Sequence, residues 1–314
     1  MPDMFGIVTS CSSRKRSSKL VARLDPSDLQ GGVAKVAARW LQIIAATPSV
    51  ATAGELYLGR AMLESKAVAA YLNGTMHVIS AGMGLAAQDD HIPAYDLTVA
   101  SREGPLGSIL SQAGASPADW WELLNDLRAS SLPLSGLINH HERTRFLLAL
   151  PSNYLAMVCD DLNRVHDNAL DRLYIFTSLR GARTLPRRLL RCLLPYDERL
   201  EGHPAHAGTR SDFPQRAMRH FVERLAAHSM RRQEAREAVE EAMNSLTKPS
   251  IPQRARKSDG EILEIVRAQW GVHAGNSDRL HRYLRDTALV ACEQRRFGGL
   301  WRQVKGEFNE TSKN

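Results

Sequence analysis

The 314-residue sequence contains only four cysteines, Cys11, Cys159, Cys192 and Cys292, and none is paired in a CxxC motif. That spacing argues against a zinc knuckle and a disulfide framework, and it favours a reducing, cytoplasmic setting. No apolar run approaches the ~20 residues that a membrane span requires. The opening stretch "MPDMFGIVTSCSSRKRSS" turns polar and basic after one short apolar run, so no secretory signal is expected. Also missing are GxxxxGK[ST], GxGxxG and GxSxG, which argues against a Walker-type nucleotide site, a Rossmann dinucleotide site and a nucleophile elbow. His140-His141 and the pair His203 and His206 lack a matching Cys/His set at metal-ligand spacing, so no metal is expected. There is no internal repeat and no low-complexity tract.

What the chain does have is an ordinary globular composition, 43% hydrophobic and 24% charged, and enough length to bury a core. Its net charge of +7 is unevenly placed. Residues 1–213 are nearly balanced, with 22 Lys+Arg against 21 Asp+Glu, whereas residues 214–305 carry 18 against 11. A positive field confined to one third of the chain suggests a polyanionic partner, most simply nucleic acid; the alternative is an Arg-rich solvated surface.

Hydrophobic patterning predicts strands at 4–10, within "NGTMHVISAG", at 145–150 and at 172–177, with helices between them at 33–46, 53–72, 116–130 and beyond Pro151. In "SPADWWELL", Ser116 reads as an N-cap, with Pro117 at the first helical position and Asp119 favouring the helix dipole. The expected class is therefore α/β: a three-layer domain over residues 1–213 around a four-stranded, mostly parallel sheet. One long charged helix is expected over 214–249, a Pro- and Lys/Arg-rich linker over 250–260, and a helical region over 261–314 that starts at Asn276 or Ser277 for its second helix and breaks at Gly298-Gly299.

In such a sheet the ligand crevice lies at the carboxyl ends of the strands. The residues expected there are Ser10, Cys11 and Ser12 after the first strand, Ser80 after the second, Ser152, Asn153 and Tyr154 after the third, and Thr177 and Ser178 after the fourth. Asn153 has the groups to read a base edge, and Tyr154 has a face on which a base can stack. "CSSRKR" offers hydroxyls and the cations Arg14, Lys15 and Arg16 to a phosphate, or is merely a solvated basic turn. The loop "GMGLAAQDDHIPAYD" supplies Asp89, Asp90, Tyr95 and Asp96 as acid/base candidates, unless the acids only cap local structure. Arg180, Arg183, Arg187, Arg188 and Arg191 form a basic rim after the fourth strand, and Arg279, Arg282 and Arg285 recur along a C-terminal helix; both sets suit phosphate contacts.

Taken together, "TSCSSRK", "GELYLGRAM" and "SAGMGLAAQDDHIPAYD" resemble a bacterial domain family of YaaA-like proteins, whose pattern is CS-x-x-K, SA-x-x-GL, an Asp and I-x-PYD. The resemblance covers roughly residues 5–100 by motif and extends to about 180 by strand order. It implies a uracil-DNA-glycosylase-like fold, although the GQDPYH and HPS motifs of glycosylases are absent. By position Asp89 matches the family's loop Asp, and Tyr95-Asp96 match its PYD. One branch with this architecture comprises anti-phage glycosylases that remove modified cytosines. The expectation is thus a monomeric DNA glycosylase that flips a modified base out of double-stranded DNA, needs no cofactor, metal or membrane, and uses Asp89, with Asp90 and Asp96 in reserve, against a cationic sugar. The competing expectations are a DNA-binding or damage-sensing protein with a degenerate pocket, and a nucleotide-derivative sensor or transferase on the same scaffold.

Overall fold

A computed structural model describes residues 4–99, 104–128, 132–248 and 253–311. The chain divides into two compact units, Met1–Pro249 and Ser250–Asn314.

The first unit contains strands β1 (Met4–Ser10), β2 (Ala51–Thr52), β3 (Thr75–Ser80), β4 (Gly84–Ala87), β5 (His91–Ile92), β6 (Thr144–Ala149) and β7 (Leu173–Phe176). Its helices are α1 (Val33–Ala46), α2 (Ala53–Leu56), α3 (Arg60–Leu72), α4 (Pro105–Gln112), α5 (Pro117–Leu127), α6 (Leu134–His140), α7 (Ser152–Leu162), α8 (Asp167–Leu170), α9 (Leu179–Ala182), α10 (Phe213–Arg219) and α11 (Arg232–Asn244). The central sheet has the order β4-β3-β1-β6-β7. β3, β1, β6 and β7 are mutually parallel, and β4 is antiparallel to β3. The sheet is therefore five-stranded and not four-stranded as expected; "GLAA" is too short and too small in its side chains to announce a strand, and its pairing along β3 is what creates it.

β1 lies at the centre because "FGIVTS" is apolar on both faces; Ile7 and Val8 point to opposite sides and are both fully buried. One face is covered by α3 and α10, which pack on each other and on β1, β6 and β7. Two hydrogen bonds fix that layer: Ser65 Oγ donates to Thr9 Oγ1 at 2.9 Å, and Gln215 Nε2 donates to the Ala149 carbonyl at 2.9 Å. On α5, Ser116 caps the helix as expected, accepting from the Asp119 N–H while Asp119 accepts from Ser116. α5 packs against α1 and α7.

The single helix expected over 214–249 is instead interrupted. α10 is buried almost along its whole length and ends in a π turn at His220–Arg224. Ala226 then takes a left-handed conformation with φ of 48°, and α11 restarts at Arg232 with Ala235, Val239 and Met243 as its buried stripe. α10 is buried nearly all round, whereas α11 is buried only along one stripe.

The second unit holds β8 (Ala255–Arg256), α12 (Asp259–Gln269), α13 (Ser277–Asp286), β9 (Val290–Ala291) and α14 (Gln294–Thr311), with β8 and β9 parallel. Its small core includes Ile262, Val266, Leu280, Leu284, Phe297 and Val304. Asn276 is the N-cap of α13, accepting from the Arg279 N–H at 3.0 Å. α14 runs straight through Gly298-Gly299, where a break was expected; Phe297, Leu300 and Val304 anchor its face to the core and outweigh the weak helix propensity of two glycines. No helix among the described residues is long and apolar enough to cross a membrane.

Candidate active site at the carboxyl ends of the central strands

The parallel strands β1 and β3 end side by side, with Ser10 opposite Ile79. The next residue, Cys11, is held there because its N–H donates to the Ile79 carbonyl at 2.8 Å. Its buried thiol meets the phenol of Tyr154, from the first turn of α7, with Sγ 3.0 Å from Oη. Beyond Cys11 the chain folds back along residues 56–58. The Leu58 N–H donates to the Arg14 carbonyl at 2.9 Å, and the Arg16 N–H donates to the Leu56 carbonyl at 2.8 Å. Ser12 Oγ lies 2.6 Å from the Arg14 and Leu58 carbonyls, so its hydroxyl is committed to closing this turn.

At the end of β3 the chain forms a second cradle. Ser80 Oγ accepts from the N–H groups of Gly82 and Met83, both at 3.1 Å. The indoles of Trp40 and Trp120 donate to the carbonyls of Gly82 and Ala81, each at 2.7 Å, and Arg128 bonds the Met83 carbonyl. Tyr95 returns into this cradle. Gly82 is needed for it, because a Cβ there would lie 2.5 Å from the Tyr95 ring. The Tyr95 hydroxyl bonds Ser80 Oγ, and it lies 2.6 Å from the Tyr57 hydroxyl.

The direction of this chain of hydroxyls follows from donor and acceptor capacity. Ser80 Oγ has two lone pairs and both accept backbone N–H groups, so its one proton must go to Tyr95 Oη. Tyr95 therefore donates its own proton to Tyr57. Burial holds the phenols of Tyr57, Tyr95 and Tyr154 well above the ordinary tyrosine range, so all three stay protonated donors. Over the Tyr95 ring sits Lys15, with Nζ 4.3 Å from the ring centre. Burial lowers the ammonium's pKa, against the opposing pull of Cys11 and of Asp96. The result is a partly desolvated amine on an aromatic face, above a file of hydroxyl donors and within reach of a carboxylate's charge.

Of the residues expected at the crevice, Ser10, Cys11, Ser80, Tyr95 and Tyr154 come together here, with Ser152 and Asn153 beside Tyr154 in the first turn of α7. Lys15, expected as a phosphate contact, rests on Tyr95, while Arg14 and Arg16 are exposed. Asp96 is exposed and lies 3.9 Å from Arg23, and its charge reaches Lys15. Asp89 and Asp90 are elsewhere. β4 runs back down β3, so that the Gln88 N–H donates to the Met76 carbonyl, four residues before Ser80 and about 13 Å from the strand tip. Both acids are exposed at that far end, and Asp90 Oδ2 accepts from the Ala87 N–H at 2.8 Å.

Thr177 and Ser178 also stand apart. They line a separate cavity of about 330 Å³ at the end of β7, with Tyr196 and Arg199 on its wall. The Thr177 hydroxyl donates to the Leu150 carbonyl at 2.8 Å, and Ser178 caps α9. In the basic rim Arg188 is engaged structurally, donating to the Asn163 and Val165 carbonyls and to Asp167, and Arg191 donates to the Asp167 carbonyl at 2.9 Å. Arg180, Arg183 and Arg187 remain exposed, as do Arg279, Arg282 and Arg285 on α13.

Tyr57 is the site residue that sequence reasoning missed, because "GELYLGRAM" was read as one helix. The available signal was Gly59, whose φ of 106° ends that reading two residues after Tyr57. His140 and His141 bond helix carbonyls, whereas His203, His206 and His220 meet edge-on with ring centres 4.8–5.5 Å apart. Among the described residues no group of three or more His, Cys, Asp or Glu side chains is placed to hold a metal ion. No protein family, curated protein or solved structure matches the chain.

Proposed function

We propose that the first unit is a DNA glycosylase that hydrolyses the N-glycosidic bond of a modified base, with glucosylated hydroxymethylcytosine of phage DNA as the substrate class and antiviral defence as the setting. The observation that supports this reading is the packing of Lys15 on Tyr95 above the Ser80-Tyr95-Tyr57 hydroxyls at the carboxyl edge of a parallel sheet, with Asp96 the next residue along the chain. A flipped nucleotide would enter at that edge. As the C1′–N bond breaks, positive charge develops on the sugar, and the Asp96 carboxylate stabilises it. Water adds to C1′ and gives its proton to Asp96, while the departing base takes its proton from Lys15. Exposed Arg14 and Arg16 would hold the flanking phosphates. Asp96 takes the role first expected of Asp89, because Asp89 and Asp90 lie at the opposite end of β3.

The test is incubation with duplexes carrying individual modified cytosines, followed by alkaline cleavage of abasic sites. Asp96→Asn is expected to lower the excision rate on the order of 10²–10³-fold, and Asp89→Asn to leave it near that of the unaltered protein. The reverse pattern would return the role to Asp89. A second reading, a DNA-binding protein with a degenerate pocket, has its own support: every hydroxyl of the cluster is buried and already partnered, which leaves none to act on a substrate. Tight DNA binding with no abasic sites on any substrate would establish that reading and overturn the first.

A further inference from the structure

The second unit carries 12 Lys+Arg against 8 Asp+Glu, and three of its arginines recur along α13. On a 3.6-residue helix Arg279, Arg282 and Arg285 do point away from Leu280 and Leu284, but Asp278 and Asp286 fall among them. Cations gather more closely in a different place. Where β8, β9, the end of α13 and the start of α14 meet, an open cleft of about 530 Å³ is lined by Arg254, Arg256, Lys257, Arg285 and Arg296, with Glu293 as its one acid.

Three of these cations are fixed by the surrounding backbone and by acids. Arg254 donates to the Arg285 carbonyl at 2.8 Å and to Asp286 at 3.1 Å. Arg296 donates to Asp259 at 2.8 Å and to the Lys257 carbonyl at 2.9 Å, and Lys257 donates to Glu261 at 2.7 Å. Arg256 and Arg285 are exposed and have no acidic partner among the described residues. Two free guanidinium forks are thus presented on a wall that is already braced. A guanidinium fork matches the paired oxygens of a phosphodiester. Ala291 and Cys292 supply the remaining lining, so the cleft offers no aromatic surface on which an unpaired base could stack.

We propose that this cleft is a binding site for the phosphodiester backbone of duplex DNA, with Arg256 and Arg285 as the phosphate ligands and with no reading of base sequence. The proposal stands on the cleft alone and holds whatever the first unit does.

The test uses the full chain and a short fluorescent duplex of unmodified DNA, with binding followed by anisotropy over a range of salt. The double variant Arg256→Glu, Arg285→Glu is compared with Arg279→Glu, Arg282→Glu, which changes the charge by the same amount on the same unit. The cleft variant is expected to bind about tenfold more weakly, and its plot of log affinity against log salt to be shallower by about 1.8, the counterion release of two phosphate contacts. The α13 variant should keep the slope. Arg256→Ala, Arg285→Ala gives the same reading of the slope should the reversed charges disturb folding. Equal losses in the two glutamate variants, an unchanged slope in the cleft variants, or tighter binding of duplex RNA or single-stranded DNA would each overturn the proposal.

Discussion

Removing one oxygen atom tests the hydroxyl file directly. Tyr95→Phe keeps the ring that packs on Gly82, stands edge-on to Trp40 at 6.1 Å and lies beneath Lys15, so it opens no cavity. What it removes is the acceptor of the Ser80 proton and the donor to Tyr57. Ser80 is fully buried and Tyr57 is 1% exposed, so water cannot replace the lost partner. A stranded buried donor costs about 1–3 kcal/mol, and the lost bond to Tyr57 about 1 kcal/mol more, for a total of about 2–4 kcal/mol. Tyr57→Phe, by contrast, leaves Ser80 satisfied and strands only the Tyr95 proton, and should cost about 1–3 kcal/mol. The assay is urea unfolding followed by the emission of Trp40, Trp120 and Trp121, all fully buried in the first unit. A Tyr95→Phe protein within about 0.5 kcal/mol of the parent would refute the file. A Tyr57→Phe protein less stable than Tyr95→Phe would refute its direction.

Two further outcomes follow from buried charge. His206 and His220 are both brought down to about 4, first by burial and then by the neighbouring histidines, with Arg216, Arg219 and Arg224 adding repulsion and Glu64 opposing it at His206. Because the folded values lie below the unfolded value of ~6.5, the unfolded chain takes up more protons as pH falls: stability is full above that value and is lost towards pH 4, by about 1–2 kcal/mol per imidazole after allowance for solvent screening. Melting temperatures that stay level between neutral pH and the low end of that window would refute this. Asp161 is fully buried and accepts from the Trp121 indole at 2.9 Å, from the Leu134 and Ser135 N–H groups at 2.8 and 3.1 Å, and from the Ser135 hydroxyl. Asp161→Asn turns an amide against two of those donors and should cost about 3 kcal/mol in chemical denaturation; a loss below about 1 kcal/mol would show that the carboxylate is not the anchor of α6 on α7.

The four parallel strands were legible because each is a run of β-branched or large apolar residues buried on both faces, which leaves a continuous signal in the sequence. The start of α5 was legible because Ser116, Pro117 and Asp119 each act locally. Features decided by distant partners were not. The four residues of β4 gain their conformation from the register against His77–Ser80. The turn between α10 and α11 falls in "LAAHSMR", where Ala226 takes a left-handed conformation that the local residue types do not announce. The same division runs through the site. Cys11, Ser80 and Tyr154 follow directly from strand ends, whereas the meeting of Tyr57 with Tyr95 depends on a fold-back across 38 positions.

Asp89 and Tyr95, neighbours in the acidic loop, lie at opposite ends of β3. From Gly84, with φ of 68°, the chain leaves the carboxyl edge along β4 and reaches the far end at Gln88. Asp90 closes the reversal there, its side chain accepting from Ala87 and its carbonyl from the Ala53 N–H at 2.8 Å. The short ladder of β5 with β2 then brings the chain back, and the Ala22 N–H donates to the Ala94 carbonyl at 2.8 Å while the Asp96 N–H donates to the Ala22 carbonyl at 3.0 Å. Tyr95 is thus clamped on both sides with its ring turned into Ser80 and Tyr57, and Asp96 is left outside. An acid at position 90 is spent on turning the loop, and the residues five and six positions later are the ones the loop delivers. Two carboxylates that look equivalent in the sequence differ because an antiparallel excursion of one short strand separates the bottom of the sheet from its top.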